Sequence, residues 1–330
     1  MFCKIVFVFY LLIQSVPVLS QQRSKPVAII FDSDMGPDYD DVGAITLLHA
    51  FADSGYVKIL ATIASTRYEG VAAVFNVLNT YFKRSAIPIG VPKSKASELK
   101  DKQHWTDTIL LKYPHKIKTN AEVPDAVEVY RKALASQPDT SVVIITVGFL
   151  TNLSALLQSL PDKYSKLNGK ELVKQKVKQL VCMGGRFPSG NEFNIRIDAA
   201  ASQFVFNNWE TAVLFSGVEI GYKIRTGLPL INNKAIKNSP VKDVFRICIP
   251  LDPQDSAGRM SWDETAVLVA VKGYKSWYKI EKGKMIVAGD GSNTWIKDPS
   301  RHSYLVEVLP PSDVEQFINK LIMHQPVSNK

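Results

Sequence analysis

The chain has 330 residues, with 40 lysines and arginines against 31 acids, a formal charge of +9 and 46% hydrophobic side chains. The basic surplus is spread out: Lys93, Lys95, Lys100, Lys102, Lys112, Lys116 and Lys118, and the lysines between 163 and 178, sit among polar residues. Aromatic interleaving and a recognised binding motif are missing there, which argues against a nucleic-acid surface.

The first twenty residues carry a basic start ending at Lys4, an apolar run from Ile5 to Ile13 and a small-residue exit at Val18-Leu19-Ser20. This reads as a secretory signal peptide cleaved near Ser20. The run is shorter than the ~20 residues of a membrane span. No later stretch is long and apolar enough to cross a bilayer, so a secreted protein without membrane association is expected. Without Lys4 the basic count falls to 39 against 31 acids, a charge of +8. Residues 21–330 are expected to form a single domain, since large α/β units reach this size with one core. Cys3 leaves with the signal, and Cys182 and Cys248 each lie in an apolar run that predicts burial rather than pairing.

The mature chain opens with a continuous apolar run, Pro26 to Phe31, of the kind a strand covered on both faces shows. Apolar residues then recur at helical spacing from Val42 to Ala50, and Val57 to Ile63 returns to strand character. The alternation continues with helices over 71–82 and 126–135, a strand over 141–146, a helix from Thr151 and a buried strand over 179–183 running into Gly184-Gly185. Strands alternating with helices predict an α/β fold built on an open, mainly parallel, Rossmann-like sheet flanked by helices. Ligands of such sheets gather at the carboxyl ends of the strands.

At the first strand end, Asp32, Asp34, Asp38, Asp40 and Asp41 place five carboxylates within ten residues. Such acids repel one another and raise each other's pKa unless a cation joins them, and calcium accepts six to eight oxygen ligands. A solvated acidic loop, with Asp41 capping the next helix, is the bland alternative. An EF-hand starting at Asp32 fails, because a strand precedes it and Gly43 stands where the twelfth-position glutamate belongs. A phosphatase of the haloacid dehalogenase type also begins with a strand and Asp-x-Asp and uses magnesium. Such enzymes do not need Asp40-Asp41.

The segment from Asp32 to Asp41 resembles the Asp-x-Asp-x-Gly…Asp-Asp signature of the inosine-uridine preferring nucleoside hydrolases. The likeness continues through Thr146-Val-Gly-Phe-Leu-Thr-Asn152, Cys182-Met-Gly-Gly185, Asn191-Glu-Phe-Asn194 and Ser261-Trp-Asp263, in order over nearly the whole mature chain. The resemblance implies a calcium ion held by Asp34, Asp41, Asp263 and the carbonyl of Val147, with Asp34 as general base toward the attacking water. It further implies that Asp40, Asn194 and Asp263 hold the sugar 2′- and 3′-hydroxyls, that Glu192 and Asn191 reach the 5′-hydroxyl, and that Met183 packs under the ribose. Alone, Asn194 reads as a turn residue, Met183 as core and Asp263 as a helix cap. A formal glycosylation sequon at Asn152-Leu-Ser154 is expected to stay unmodified beside the site.

Two departures stand out. The loop between Asp34 and Asp40 is two residues longer than the shortest family signature and adds Asp38, expected to support the ligand acids from behind. Many members carry a histidine before the last metal aspartate to protonate the leaving base, where this chain has Trp262. The purine-specific subclass resembles it in this respect and activates the base by stacking. Trp105 lies where that subclass supplies the opposing tryptophan, and His104 beside it is either a loop residue or an auxiliary proton donor. The expected activity is purine-preferring ribonucleoside hydrolysis on a small-molecule nucleoside. The competing readings are a calcium- and nucleoside-binding protein without turnover and the phosphatase. The oligomeric state is left open, a homo-oligomer included.

Overall fold

The computed structural model describes residues 25–327, so the signal peptide read from the first twenty residues lies outside the described residues. The described strands are β1 (Val27–Ser33), β2 (Val57–Ala64), β3 (Ile89–Gly90), β4 (Val142–Thr146), β5 (Val177–Met183) and β6 (Ser189–Gly190) in the first part of the chain. They continue as β7 (Ala212–Ser216), β8 (Arg225–Thr226), β9 (Arg259–Met260), β10 (Tyr278–Val287), β11 (Asn293–Ile296) and β12 (His302–Glu307). Ten of these form one sheet in the order β3, β2, β1, β4, β5, β7, β12, β10, β11, β6, while β8 pairs only with β9.

Pairing is parallel from β3 through β12 and antiparallel from β12 onward. The α/β sheet is therefore mainly parallel, as the alternation of elements predicts. In β1, Ile29 and Phe31 enter one apolar layer and Ile30 the other. Both faces are covered, which is why the strand is apolar from Val27 to Phe31 instead of alternating.

Helices Asp40–Asp53, Val71–Tyr81, Ala126–Ala135 and Thr151–Gln158 fall where the periodicity places them. The antiparallel extension was not anticipated. The sequence Tyr278-Lys-Ile-Glu-Lys-Gly-Lys-Met-Ile-Val287 has mixed burial, and its four charged side chains mask a strand.

Register decides where the site sits. Asp32 of β1 lies level with Thr146 of β4, and Thr146 with Cys182 of β5. Three adjacent strands thus end in line, and the loops that follow them open on one side of the sheet. Helix Trp262–Lys272 packs along helix Asp40–Asp53 and carries Asp263 to the same place. Gly43 permits the approach: a Cβ there would lie 2.0 Å from Oε1 of Glu264.

Cys182 and Cys248 are both buried and free, as their apolar surroundings suggested, and they belong to opposite apolar layers. Among the described residues no helix is long and apolar enough to cross a membrane.

Candidate active site

The chain leaves β1 through a tight turn, with Met35 at a φ of 27°. Thr66 Oγ1 donates to the Asp34 carbonyl at 3.0 Å, and the Tyr68 hydroxyl donates to the Met35 carbonyl at 2.7 Å. The loop after β4 presses against this turn at Gly148, where a Cβ would fall 2.4 Å from the Asp34 nitrogen. Only glycine fits that approach. The result is a fixed backbone from which the Asp34 carboxylate enters a cleft of about 210 Å³.

Asp34, Asp40 and Asp263 line this cleft together with Val147, Met183, Asn191, Glu192, Asn194 and Trp262. Nine of the eleven residues expected at the site therefore meet in one cavity. Asp41 sits directly behind it: carboxylate oxygens of Asp40, Asp41 and Asp263 lie within 4.8 Å of one another, and all three side chains are buried. Asp34 lies outside that tightest triad but interacts electrostatically with all three of its members.

Asp41 Oδ1 accepts from Ser33 Oγ at 2.5 Å and from the Met35 nitrogen at 3.2 Å, while its Oδ2 is buried with no partner. Burial, and then the charge of Asp40, push the Asp41 carboxyl up to about 7. Burial and neighbouring acids raise Asp34 and Asp263 well above the ordinary carboxylate range as well. Crowded buried carboxylates with an orphaned oxygen, the triad itself offering oxygen ligands alone, fit a hard divalent cation.

The residues expected on the sugar side are held with similar economy. Asn194 Nδ2 donates to the Val147 carbonyl at 3.0 Å and touches Met183 Sδ at 3.3 Å. The Val147 carbonyl, expected as a cation ligand, thus spends one of its two lone pairs on the amide and keeps the other. Glu192 caps helix Phe193–Ile197, accepting from the nitrogens of Asn194 and Ile195, and Oε2 also binds the Gly185 nitrogen at 3.1 Å. Asn191 is exposed at the rim. Asp32 faces away from the cleft: its Oδ2 accepts from the Tyr130 hydroxyl at 2.7 Å and Asn152 Nδ2 at 3.1 Å, and burial lifts its pKa to about 7. A haloacid dehalogenase would need that first aspartate exposed as nucleophile, so the phosphatase reading falls. The same bond occupies the amide of the Asn152 sequon inside the protein, in keeping with an unmodified site.

Trp262 borders the cleft with its indole N–H fixed to the Val218 carbonyl at 2.7 Å. Trp105 corrects the expectation of an opposing jaw. It begins helix Trp105–Lys112, is fully buried in the apolar layer that covers one face of the sheet, and is not among the cleft residues. Its large apolar ring gains more from that core than a loop position would give. His104 is exposed and pairs with Asp107 at 3.2 Å, and no histidine lines the cleft.

Arg259 was not anticipated. It is buried, and its Nη2 meets Asp38 at 2.8 Å and Asp40 at 2.9 Å. Asp38 corrects the expectation of an acid behind the site: it lines the cleft itself and pairs there with this arginine. No motif announced Arg259, because the site acids it meets, Asp38 and Asp40, are about 220 residues away in sequence.

The model of the inosine-uridine preferring nucleoside hydrolase family matches residues 29–318. The chain belongs to this family. It is 25% identical over 200 residues to the inosine-uridine preferring nucleoside hydrolase of Leishmania major, an alignment covering 57% of this chain and 60% of that protein. It is 32% identical over 209 residues to a pyrimidine-specific ribonucleoside hydrolase of Salmonella arizonae, covering 59% and 61%. The chain thus aligns with about three-fifths of the length of these two relatives. Among solved structures, an inosine-uridine preferring nucleoside hydrolase from Bacillus anthracis superposes with a TM-score of 0.68 at 16% identity, covering 90% of this chain and 99% of that one. A purine-preferring ribonucleoside hydrolase from Gardnerella vaginalis gives 0.67 at 17% identity, covering 89% and 98%. At such identities the two structures speak for the fold alone.

Proposed function

We propose that this nucleoside hydrolase family member is a secreted, calcium-dependent enzyme that cleaves the N-glycosidic bond of ribonucleosides, purine nucleosides preferred, to free base and ribose. The observation that carries the reading is the convergence of Asp34, Asp40, Asp263, Asn194 and Trp262 on one cleft at the ends of β1, β4 and β5. Secretion rests on the leader in residues 1–20.

Cleavage passes through an oxocarbenium-like sugar, which needs a water on one face and negative charge around the ring. Asp34 takes the proton from the attacking water, and its fixed backbone keeps it aimed at the sugar. Asp40, Asp263 and Asn194 hold the ribose hydroxyls, Glu192 and Asn191 reach toward the 5′-hydroxyl, and Met183 lies under the ring. Asp34, Asp41, Asp263 and the Val147 carbonyl would hold calcium, which supplies Lewis-acid activation and offsets the carboxylate charge. Trp262 gives the base an apolar face, pinned at its N–H. With Trp105 in the core, no second tryptophan among the described residues faces Trp262 across the cleft.

Incubation with inosine, adenosine, guanosine, uridine and cytidine, followed by measurement of free ribose, tests the reading. Ribose release supports it, and no release from any of the five would leave the nucleoside-binding protein without turnover. That alternative draws on the absence of a histidine from the cleft.

Trp262→Ala is expected to lower turnover of purine nucleosides far more than that of p-nitrophenyl riboside, whose leaving group needs no protonation. Stacking is worth ~0.5–1.5 kcal/mol beyond burial, so the differential loss should be about twofold to thirteenfold. Equal losses on both substrates, or a wild-type enzyme preferring uridine, would remove Trp262 from base activation.

A further inference from the structure

The two halves of a nucleoside meet Asp40 and Trp262 in the proposed mode, and one residue outside the cleft lining touches both. Arg259 lies on β9, part of the small β8–β9 ribbon rather than the main sheet. Its Nε and Nη2 reach Asp40 Oδ1 at 3.1 and 2.9 Å, which commits that oxygen and leaves Oδ2 with a single donor, the Asp263 nitrogen at 3.3 Å. Its guanidinium lies 5.1 Å from the centre of the Trp262 ring and 4.8 Å from that of Tyr39. The Tyr39 hydroxyl donates to Asp255 Oδ2 at 2.5 Å, and Asp255 Oδ2 also stands 3.7 Å from Arg259 Nη1. The longer acidic loop therefore closes on Arg259 through Asp38, Tyr39 and Asp40 at once.

We propose that Arg259 is a positioning residue for substrate selection: its fork turns Asp40 toward the sugar 2′-hydroxyl while its face backs the Trp262 ring. The assignment rests on the nucleoside reading of the cleft. A lysine carries the charge but not the planar fork, so it replaces the function only in part.

The test compares wild type, Arg259→Lys, Arg259→Gln and Asp38→Asn on inosine and 2′-deoxyinosine, with kcat and KM measured separately and binding of both ligands measured by calorimetry. Wild type is expected to favour inosine. Arg259→Gln should shrink that preference by about tenfold, the value of one hydrogen bond to a charged group. Arg259→Lys and Asp38→Asn should shrink it less. A role confined to stability would lower the melting temperature and depress both substrates alike, and an unchanged preference in folded Arg259→Gln would overturn the assignment. Should Arg259→Gln not fold, Arg259→Lys and Asp38→Asn decide the matter in the same way. If wild type neither binds nor cleaves either compound, the nucleoside reading itself falls and takes this inference with it. If wild type discriminates and every variant discriminates equally, only the role of Arg259 is lost.

Discussion

Asp34→Asn is expected to lower ribonucleoside turnover by about 10²–10⁴-fold, the usual worth of a general base, with a much smaller change in nucleoside affinity. The substitution keeps the shape of the side chain. The turn that carries it is held by backbone contacts from Thr66 and Tyr68 and by the Gly148 approach, none of which involves the carboxylate. The folded structure should therefore survive, and the loss should fall on kcat. Steady-state kinetics combined with calorimetric nucleoside binding check this. Parallel losses in turnover and affinity would assign Asp34 to binding alone.

Asp41→Asn should abolish calcium binding and, with it, activity. Its carbonyl oxygen preserves the contacts from Ser33 and the Met35 nitrogen, so what disappears is the charge and the orphaned Oδ2. Calcium titration by calorimetry reads the effect without any assay of turnover. The variant also predicts a pH effect in chelator. Burial and Asp40 raise the folded-state pKa of Asp41 from 3.8 to about 7. The unfolded chain loses this proton at lower pH than the folded one, so wild-type stability falls as pH rises between those values and the penalty is complete above about 7. Asp41→Asn should lose less stability across that window, and added calcium should stabilise wild type but not the variant. Full activity of the variant in chelator would remove the cation from the mechanism.

The aspartate-rich strand end was legible as five acids crowded after an apolar run, whereas the Asn191 to Asn194 segment and Trp262-Asp263 became legible only through the ordered resemblance of several motifs to a known family. The helices flanking the parallel strands were legible from apolar spacing. Trp105 was misplaced for the converse reason. It follows lysines and a histidine and reads as a loop residue, yet its ring starts a helix and fills the core. The strand Tyr278–Val287 escaped because its charged side chains dilute the apolar pattern.

The order of apolar runs along the chain determined the parallel sheet and the acidic strand end, since strand ends and helix starts are local properties, and the resemblance of ordered motifs to a known family pointed to most of the residues that line the cleft. Which carboxylates touch was decided only in three dimensions. The closest triad unites Asp40, Asp41 and Asp263, and Arg259 reaches back to Asp38 and Asp40. Pairing between buried charges depends on distances of a few ångströms between segments about 220 residues apart, and it follows from helix packing at Gly43 and the β8–β9 ribbon. No local pattern encodes such distances.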